Sequence, residues 1–251
     1  MAARSLTANL KPHERIICAY DASQLGVNDK LKLSMLGQRI GMWKLGYQAN
    51  TAFVPEGTVL TEAVKYLDSK NLPWFYDGKF KDIENTVTQA INNLCNRGRI
   101  PPRILTIHAT MRVETIIAAL KAAGNQTLIA GVTLLTDHDE EDSADIYHAH
   151  PKEVVVASAT RLMKASRETG IKAGIVCSTL ELPALERFDL VKITPGIRDK
   201  DAKPDDQKRT ATAAEAIRLG ADYEVIGRPI LNASDPMAAA DGFATQIASA
   251  L

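Results

Sequence analysis

The sequence predicts a single-domain α/β fold, a (β/α)8 or TIM barrel, and three observations support this prediction. The 251 residues, 45% of them hydrophobic, can bury one large core and match the usual size of such a barrel. Short apolar segments alternate with longer segments of helical period, which is typical of a parallel sheet built from βα units. Eight of these short segments occur. We therefore predict a barrel over residues 15–251, preceded by an N-terminal extension of residues 1–14.

The predicted strands are apolar runs bounded by polar residues, glycine or proline. They cover residues 15–20, 41–46, 73–78, 103–108, 127–135, 173–178, 190–194 and 223–227. Helices between them follow from a 3.6-residue apolar period, for example over 62–70, 85–96 and 113–123. Residues 153–157 are β-branched enough for a strand, but they continue without a break into 159–169, so we assign them to a helix.

A doubly wound open sheet has the same alternation of strands and helices and stays open as an alternative. Such a sheet binds dinucleotides at a glycine-rich turn after its first strand. No GxGxxG follows residues 15–20, and no GxxxxGK[ST] phosphate loop occurs in the sequence. These absences favour the barrel.

Composition argues against several partners and compartments. Thirty basic and thirty acidic residues give a formal net charge of zero, so we expect neither nucleic acid nor a membrane surface as a partner. The three cysteines form no CxxC pair, and Cys18 and Cys177 lie in apolar runs typical of a core. No signal peptide or long apolar span is found, so we expect a cytoplasmic protein.

Polar residues gather at the predicted C-terminal ends of the strands, which is where the chemistry of a TIM barrel is located. Each residue alone has an ordinary explanation, because polar residues commonly begin where a strand ends. Together they bring charges of both signs to one barrel mouth, which is unfavourable unless they pair or bind a ligand. The set comprises Asp21, Lys44, Asp77, Lys79, His108, Thr136, Arg198 and Arg228.

The densest group of these residues ends the third predicted strand. By the two-residue period of a strand, Asp77 and Lys79 point to one side and Gly78 to the other. We therefore predict a preformed ion pair between Asp77 and Lys79. Asp82 lies beyond the strand, and the period does not give its orientation.

Residues 77–86, DGKFKDIENT, resemble the D-x-K-x-x-D signature of the orotidine 5'-phosphate decarboxylase family. Hexulose-phosphate synthases and ketogulonate-phosphate decarboxylases have a similar core. TPGIR at 194–198, DQKR at 206–209 and GRPI at 227–230 resemble the bacterial orotidylate enzymes specifically. The resemblance extends over residues 15–240, almost the whole chain.

The resemblance implies a carboxy-lyase that converts orotidine 5'-phosphate (OMP) to UMP and CO2, the last step of de novo UMP synthesis, without a cofactor or metal. Lys44, Asp77, Lys79 and Asp82 would form a catalytic Lys-Asp-Lys-Asp array. In that array Lys79 protonates the C6 carbanion, and Asp77 lies against the substrate carboxylate.

The resemblance also assigns substrate contacts. Asp21 and Lys44 would hold the ribose hydroxyls, and Thr136 would lie near the pyrimidine. The phosphate would be bound by Arg198, Gln207, Gly227 and Arg228. Residues 199–206 are a candidate for a closing loop, with an ordinary solvated loop as the alternative.

The family aspartate that corresponds to Asp82 reaches into the site of the other subunit. The resemblance therefore implies a homodimer in which Asp82 and Thr86 contact the partner's substrate.

The chain differs from many relatives at three places. Glu84 stands where proline is common, residues 110–112 replace small residues, and residues 137–139 stand where some relatives have serine. The last of these segments, with His148 and His150, could suggest a metal site. We assign it to a polar surface, because HxH puts both imidazoles on one side only in a strand. His108 we interpret as a hydrogen-bonded structural residue outside the site.

Two other functions remain as alternatives. A sugar-phosphate decarboxylase or aldolase with the same core would use Mg2+, and TPGIR, DQKR and GRPI argue against it. A catalytically inactive barrel that binds UMP-like nucleotides has no reason to keep Asp77, Lys79 and Asp82 together.

Overall fold

The structure, a computed structural model, describes residues 7, 9–20, 27–46, 59–95, 101–135, 137–198 and 210–251. For residues 27–31 and 59–62 it describes the backbone alone.

Eight parallel strands form a closed barrel in sequence order, each paired with the next and the last with the first. This confirms the predicted fold. The strands are β1 (Ile16–Tyr20), β2 (Met42–Leu45), β3 (Trp74–Phe80), β4 (Ile104–His108), β5 (Leu128–Val132), β6 (Ala173–Val176), β7 (Val191–Pro195) and β8 (Tyr223–Ile226). The fifth ends earlier than predicted, because the chain leaves the ladder after Val132 although the apolar run continues.

Helices lie between the strands and outside the barrel. They are α1 (Val27–Leu36), α2 (Val59–Ser69), α3 (Glu84–Cys95), α4 (Val113–Ala123), α5 (Glu140–Tyr147), α6 (Pro151–Thr169), α7 (Ala213–Arg218), α8 (Arg228–Leu231) and α9 (Pro236–Ala248). Residues Pro12–Arg15 and Thr179–Leu185 form 3-10 helices. The helical assignment of residues 153–157 is confirmed, since they lie inside α6.

Because side chains alternate between the two faces of each strand, the barrel has two apolar layers. The smaller layer fills the barrel interior and the larger one packs the sheet against the helices. The interior layer consists of Ile17, Met42, Phe75, Ile104, Ala130, Ile193 and Val225. This apolar layer fills the interior of the barrel. The inward-facing polar side chains that follow it along the strands therefore lie at the C-terminal mouth.

The described part of the N-terminal extension packs against the opposite end of the barrel. The Thr7 hydroxyl donates to the Asp222 carboxylate at 2.6 Å, and the Arg15 guanidinium donates to the backbone carbonyls of Thr7 and Asp222. Cys18, Cys95 and Cys177 are all buried, so the predicted core placement of Cys18 and Cys177 is confirmed. Among the described helices, none has the length and hydropathy needed to cross a membrane.

Candidate active site

Three charged side chains meet at the mouth between β2 and β3. The Asp77 Oδ2 atom lies 2.6 Å from Nζ of Lys79 and 3.1 Å from Nζ of Lys44. Asp77 is 5% exposed, so one buried carboxylate is shared by two ammonium groups. The predicted Asp77–Lys79 ion pair is therefore confirmed.

The lysines keep this buried carboxylate ionised. Burial alone would raise the pKa of Asp77, because it disfavours the charged form. The charges of Lys44 and Lys79, with hydrogen bonds from Lys79 and Thr106, outweigh burial and hold the pKa below its ordinary value of 3.8. The mouth therefore carries fixed charges before any ligand arrives.

The backbone at Lys79 departs from regular strand geometry. Its φ is +45°, in the left-handed region that non-glycine residues rarely adopt, at a cost of about 1–3 kcal/mol. The β3–β4 register shifts between Tyr76 and Phe80, which is a bulge. Asp77 and Lys79 do share a side, as predicted, but a bulge brings them there rather than simple pleating.

The other face of the bulge explains Gly78. The rings of Tyr76 and Phe80 meet edge to face with centroids 5.9 Å apart. A Cβ on Gly78 would lie 2.6 Å from a ring carbon of Tyr76 and 3.0 Å from one of Phe80. A side chain at this position would force one of the rings to move, so glycine allows the two rings to pack over the strand.

The opposite wall of the mouth supplies two arginines, after β7 and β8. Arg198 is held by the bridge between Ile197 and Ala211, and its guanidinium donates to the Ile197 carbonyl at 2.9 Å. Arg228 follows Gly227, where an added Cβ would approach the Ala19 Cβ to 3.2 Å. Guanidinium groups beside closely approaching backbone are suited to a phosphate.

A cleft of about 480 Å³ joins the two walls. Its polar ends are the Lys44–Asp77–Lys79 group and the two arginines, and apolar side chains separate them. The apolar lining includes Phe75, Val132, Leu134, Val176, Pro195 and Val225. This volume and polarity suit a small ligand with an anionic end and a flat apolar centre.

Other predicted site residues are not brought into this group. Asp82 and Thr86 are exposed at the start of α3, and Asp82 accepts a hydrogen bond from the backbone N–H of Ile83. Within the described chain, no ion pair joins Asp82 to Lys44 or Lys79. Asp21, Thr136, Gln207 and the candidate loop 199–206 lie outside the described residues.

His108 ends β4 near the charged group, as its place in the sequence predicted. Burial and the positive charges of Lys81 and Lys79 lower the pKa of His108. Its Nδ1 atom is buried and has no hydrogen-bond partner among the residues that the structure describes. The interpretation of His108 as a hydrogen-bonded structural residue outside the site therefore stays a prediction.

The histidine- and aspartate-rich segment consists largely of helix caps. Asp139 accepts from the backbone N–H groups of Glu141 and Asp142 and so begins α5. His150 caps α6 by accepting from the N–H of Lys152, and His148 ends α5 in a left-handed conformation. The described ranges contain no cluster of three or more histidine, cysteine, aspartate or glutamate residues suited to a metal ion.

Comparison with known proteins agrees with this geometry. A family model described as "Orotidine 5'-phosphate decarboxylase / HUMPS family" matches residues 30–243. The chain is 36% identical over 248 residues to the orotidine 5'-phosphate decarboxylase of Rhodopseudomonas palustris strain ATCC BAA-98 / CGA009, covering 96% of this chain and 97% of that one. It is 35% identical to the enzyme of the same name from Methylobacterium sp. strain 4-46, covering 98% and 100%.

A solved structure shows the same architecture. The crystal structure of orotidine 5'-phosphate decarboxylase from Lactobacillus acidophilus superposes with a TM-score of 0.70 at 25% identity. The match covers 92% of this chain and 98% of that one.

Proposed function

We propose that this chain, which belongs to the orotidine 5'-phosphate decarboxylase / HUMPS family, is a carboxy-lyase that converts OMP to UMP and CO2. The observation that carries the proposal is the buried Asp77 carboxylate between Lys44 and Lys79, which faces two arginines across one cleft. One end of the cleft suits a reacting carbon that becomes negative, and the other suits a phosphate.

The reaction determines what the charged group must do. The bond between C6 and the carboxylate breaks, CO2 leaves, and the electron pair stays on C6 of the pyrimidine. With no cofactor to accept that pair, a fixed positive charge has to stabilise it. The Lys79 ammonium supplies this charge, donates its proton to C6, and regains a proton from solvent after turnover.

Asp77 has two effects in this proposal. Its carboxylate holds the ammonium groups of Lys44 and Lys79 in place, at 3.1 and 2.6 Å. It also lies where the substrate carboxylate binds, so repulsion falls as CO2 leaves. Asp82 completes the Lys-Asp-Lys-Asp array from a second subunit.

The proposed substrate contacts combine the two arginines of the cleft with residues that the sequence resemblance assigns. Arg198 and Arg228, with the Gly227 backbone and Gln207, bind the phosphate, whose binding energy positions C6. Asp21 and Lys44 hold the ribose, and Thr136 lies near the pyrimidine. Loop 199–206 closes over the phosphate.

A homodimer is part of the proposal. Asp82 lies exposed just before α3 and Thr86 lies exposed in its first turn, and Ile83 between them is 70% exposed. An exposed isoleucine beside functional polar residues suits a surface that a second copy covers. Each active site would then need residues from both subunits.

Subunit mixing tests the shared site. Lys79→Ala and Asp82→Asn dimers should each be nearly inactive, but equal mixing after dissociation gives half hybrids, each with one intact site. About a quarter of wild-type activity should return if subunits pair at random. A mixture as inactive as its parents, in dimers shown to have exchanged subunits, would contradict the shared site.

The reaction itself is tested by mixing the purified protein with OMP in EDTA and following the loss of orotidylate absorbance. Conversion to UMP that disappears in Lys79→Ala supports the reaction, its independence of metal and the proton donor. No conversion of OMP, with turnover of sugar phosphates once Mg2+ is supplied, would assign the chain to the metal-dependent relatives instead.

A further inference from the structure

Thr106, in β4, contacts both Asp77 and Lys79 of β3 through its single hydroxyl. Its Oγ1 donates to Oδ1 of Asp77 at 2.8 Å and accepts from the backbone N–H of Lys79 at 3.0 Å. Thr106 is 0% exposed, so no water competes for these bonds from bulk solvent. It lies one inward position below His108, beneath the mouth.

The bulge makes this contact necessary. Tyr76 pairs with Leu105 and Phe80 pairs with Ile107, so three residues of β3 stand opposite Thr106 alone. The regular ladder is interrupted there, and the N–H of Lys79 finds its acceptor in the threonine side chain. The strained φ of +45° at Lys79 is thereby held by a side chain of the neighbouring strand.

The same hydroxyl fixes the orientation of the carboxylate. Oδ2 of Asp77 contacts the ammonium groups of Lys44 and Lys79, while Oδ1 is held by Thr106. With both oxygens engaged, the carboxylate plane cannot rotate without losing a charged or buried hydrogen bond.

We propose that Thr106 is a positioning residue for decarboxylation, whose hydroxyl sets the Lys79 ammonium and the Asp77 carboxylate in their reactive geometry. This inference rests on the proposed function. Thr106 does not touch substrate and acts only through its two partners on β3. A purely space-filling role would need the methyl group and the volume, which valine also supplies.

The test compares Thr106→Val, which keeps the shape and removes the hydroxyl, with Thr106→Ser, which keeps the hydroxyl. Thr127→Val is a matched control, because Thr127 is 2% exposed and its hydroxyl donates to the Pro102 carbonyl at 2.7 Å, at the other end of the barrel. The measurements are kcat, KM and the pH profile of kcat/KM for OMP, with melting temperature as a check on folding.

We expect Thr106→Val to lower kcat about 10- to 100-fold while KM changes little, because the proton donor is displaced and the phosphate contacts remain. The acid limb of the pH profile should move to higher pH, because Asp77 loses a hydrogen bond that lowers its pKa. Thr106→Ser should restore most of kcat and the acid limb. Thr127→Val should lower the melting temperature but leave kcat and the acid limb unchanged.

A kcat and an acid limb in Thr106→Val that equal those of the wild type would overturn the proposal. A loss of kcat in Thr106→Ser as large as that in Thr106→Val would also overturn it. If the valine variant does not fold, Thr106→Ala provides a second variant without the hydroxyl for the same comparison with Thr106→Ser. A wild-type protein that leaves OMP unchanged would instead overturn the proposed function.

Discussion

Two buried carboxyl groups in the same barrel have opposite electrostatic surroundings. Asp77 in β3 is 5% exposed and Glu224 in β8 is 0% exposed. The pKa of Asp77 lies below its ordinary value, whereas burial raises the pKa of Glu224 from 4.5 to about 9. Burial is similar at the two positions, so their neighbours make the difference.

Glu224 lacks the partners that Asp77 has. Neither of its carboxyl oxygens has a hydrogen-bond partner in the described part of the chain, and the charge of Arg15 offsets burial only in part. Thr194, its register neighbour on β7, also has a buried hydroxyl without a partner among those residues. Glu224 is therefore protonated at neutral pH.

The contrast shows what a catalytic charge requires. A buried carboxylate stays ionised where cations and a hydroxyl surround it, and otherwise it becomes neutral. The charged mouth is thus a specific arrangement of β2, β3 and β4 side chains, and changes there should affect catalysis, whereas changes at Glu224 should affect stability.

Among substitutions that keep Lys79, the largest effect should come from Asp77→Asn. Neutralising this carboxylate leaves Lys44 and Lys79 close together without their shared counter-ion, so the Lys79 ammonium loses the partner that holds it in position. We expect kcat for OMP to fall about 100- to 1,000-fold. Steady-state kinetics measure this, and Glu224→Gln is the control, since its kcat should match wild type. Equal losses in both variants would remove the distinction between the two regions.

Arg228→Ala should have a smaller effect than Asp77→Asn, and the effect should be on substrate binding. Loss of one charged hydrogen-bond donor to the phosphate should raise KM for OMP about 10- to 100-fold. Arg218→Ala, at the exposed end of α7, is the matched control. A KM unchanged in Arg228→Ala would show that the phosphate does not bind between β7 and β8.

The smallest effect on activity and a clear one on stability should come from Glu224→Gln. A carboxyl whose pKa is raised by folding binds more protons in the folded state than in the unfolded state. Its contribution to stability therefore decreases as pH rises from about 4.5 to about 9 and stays constant above that range. Gln removes this dependence. In urea unfolding, the variant should gain stability relative to wild type at pH 8 more than at pH 5. The same difference at both pH values would contradict the raised pKa.

The sequence predicted the barrel from its alternating strands and helices and from the missing glycine-rich loops. It predicted the Asp77–Lys79 pair from strand period, although a bulge brings the two side chains together. It did not reveal the bulge at Lys79, since a left-handed residue inside a strand leaves the apolar pattern unchanged. Thr106 lies in the middle of an otherwise apolar strand, and the sequence alone did not assign it to the site. A polar residue at an inward position just below the mouth was the signal that could have identified it. Likewise, Glu224 in the middle of YEVI was a visible charge in a buried strand.

The most direct test of the account follows the proton that reaches C6. Wild-type protein and Lys79→Ala are incubated with OMP in D2O containing EDTA, and the product is examined by proton NMR. The account predicts rapid formation of UMP with one deuterium at C6 in the wild type, and a rate at least about 1,000-fold lower in Lys79→Ala. Equal rates in the two proteins would contradict the assignment of Lys79 as proton donor, and no UMP from either would contradict the reaction.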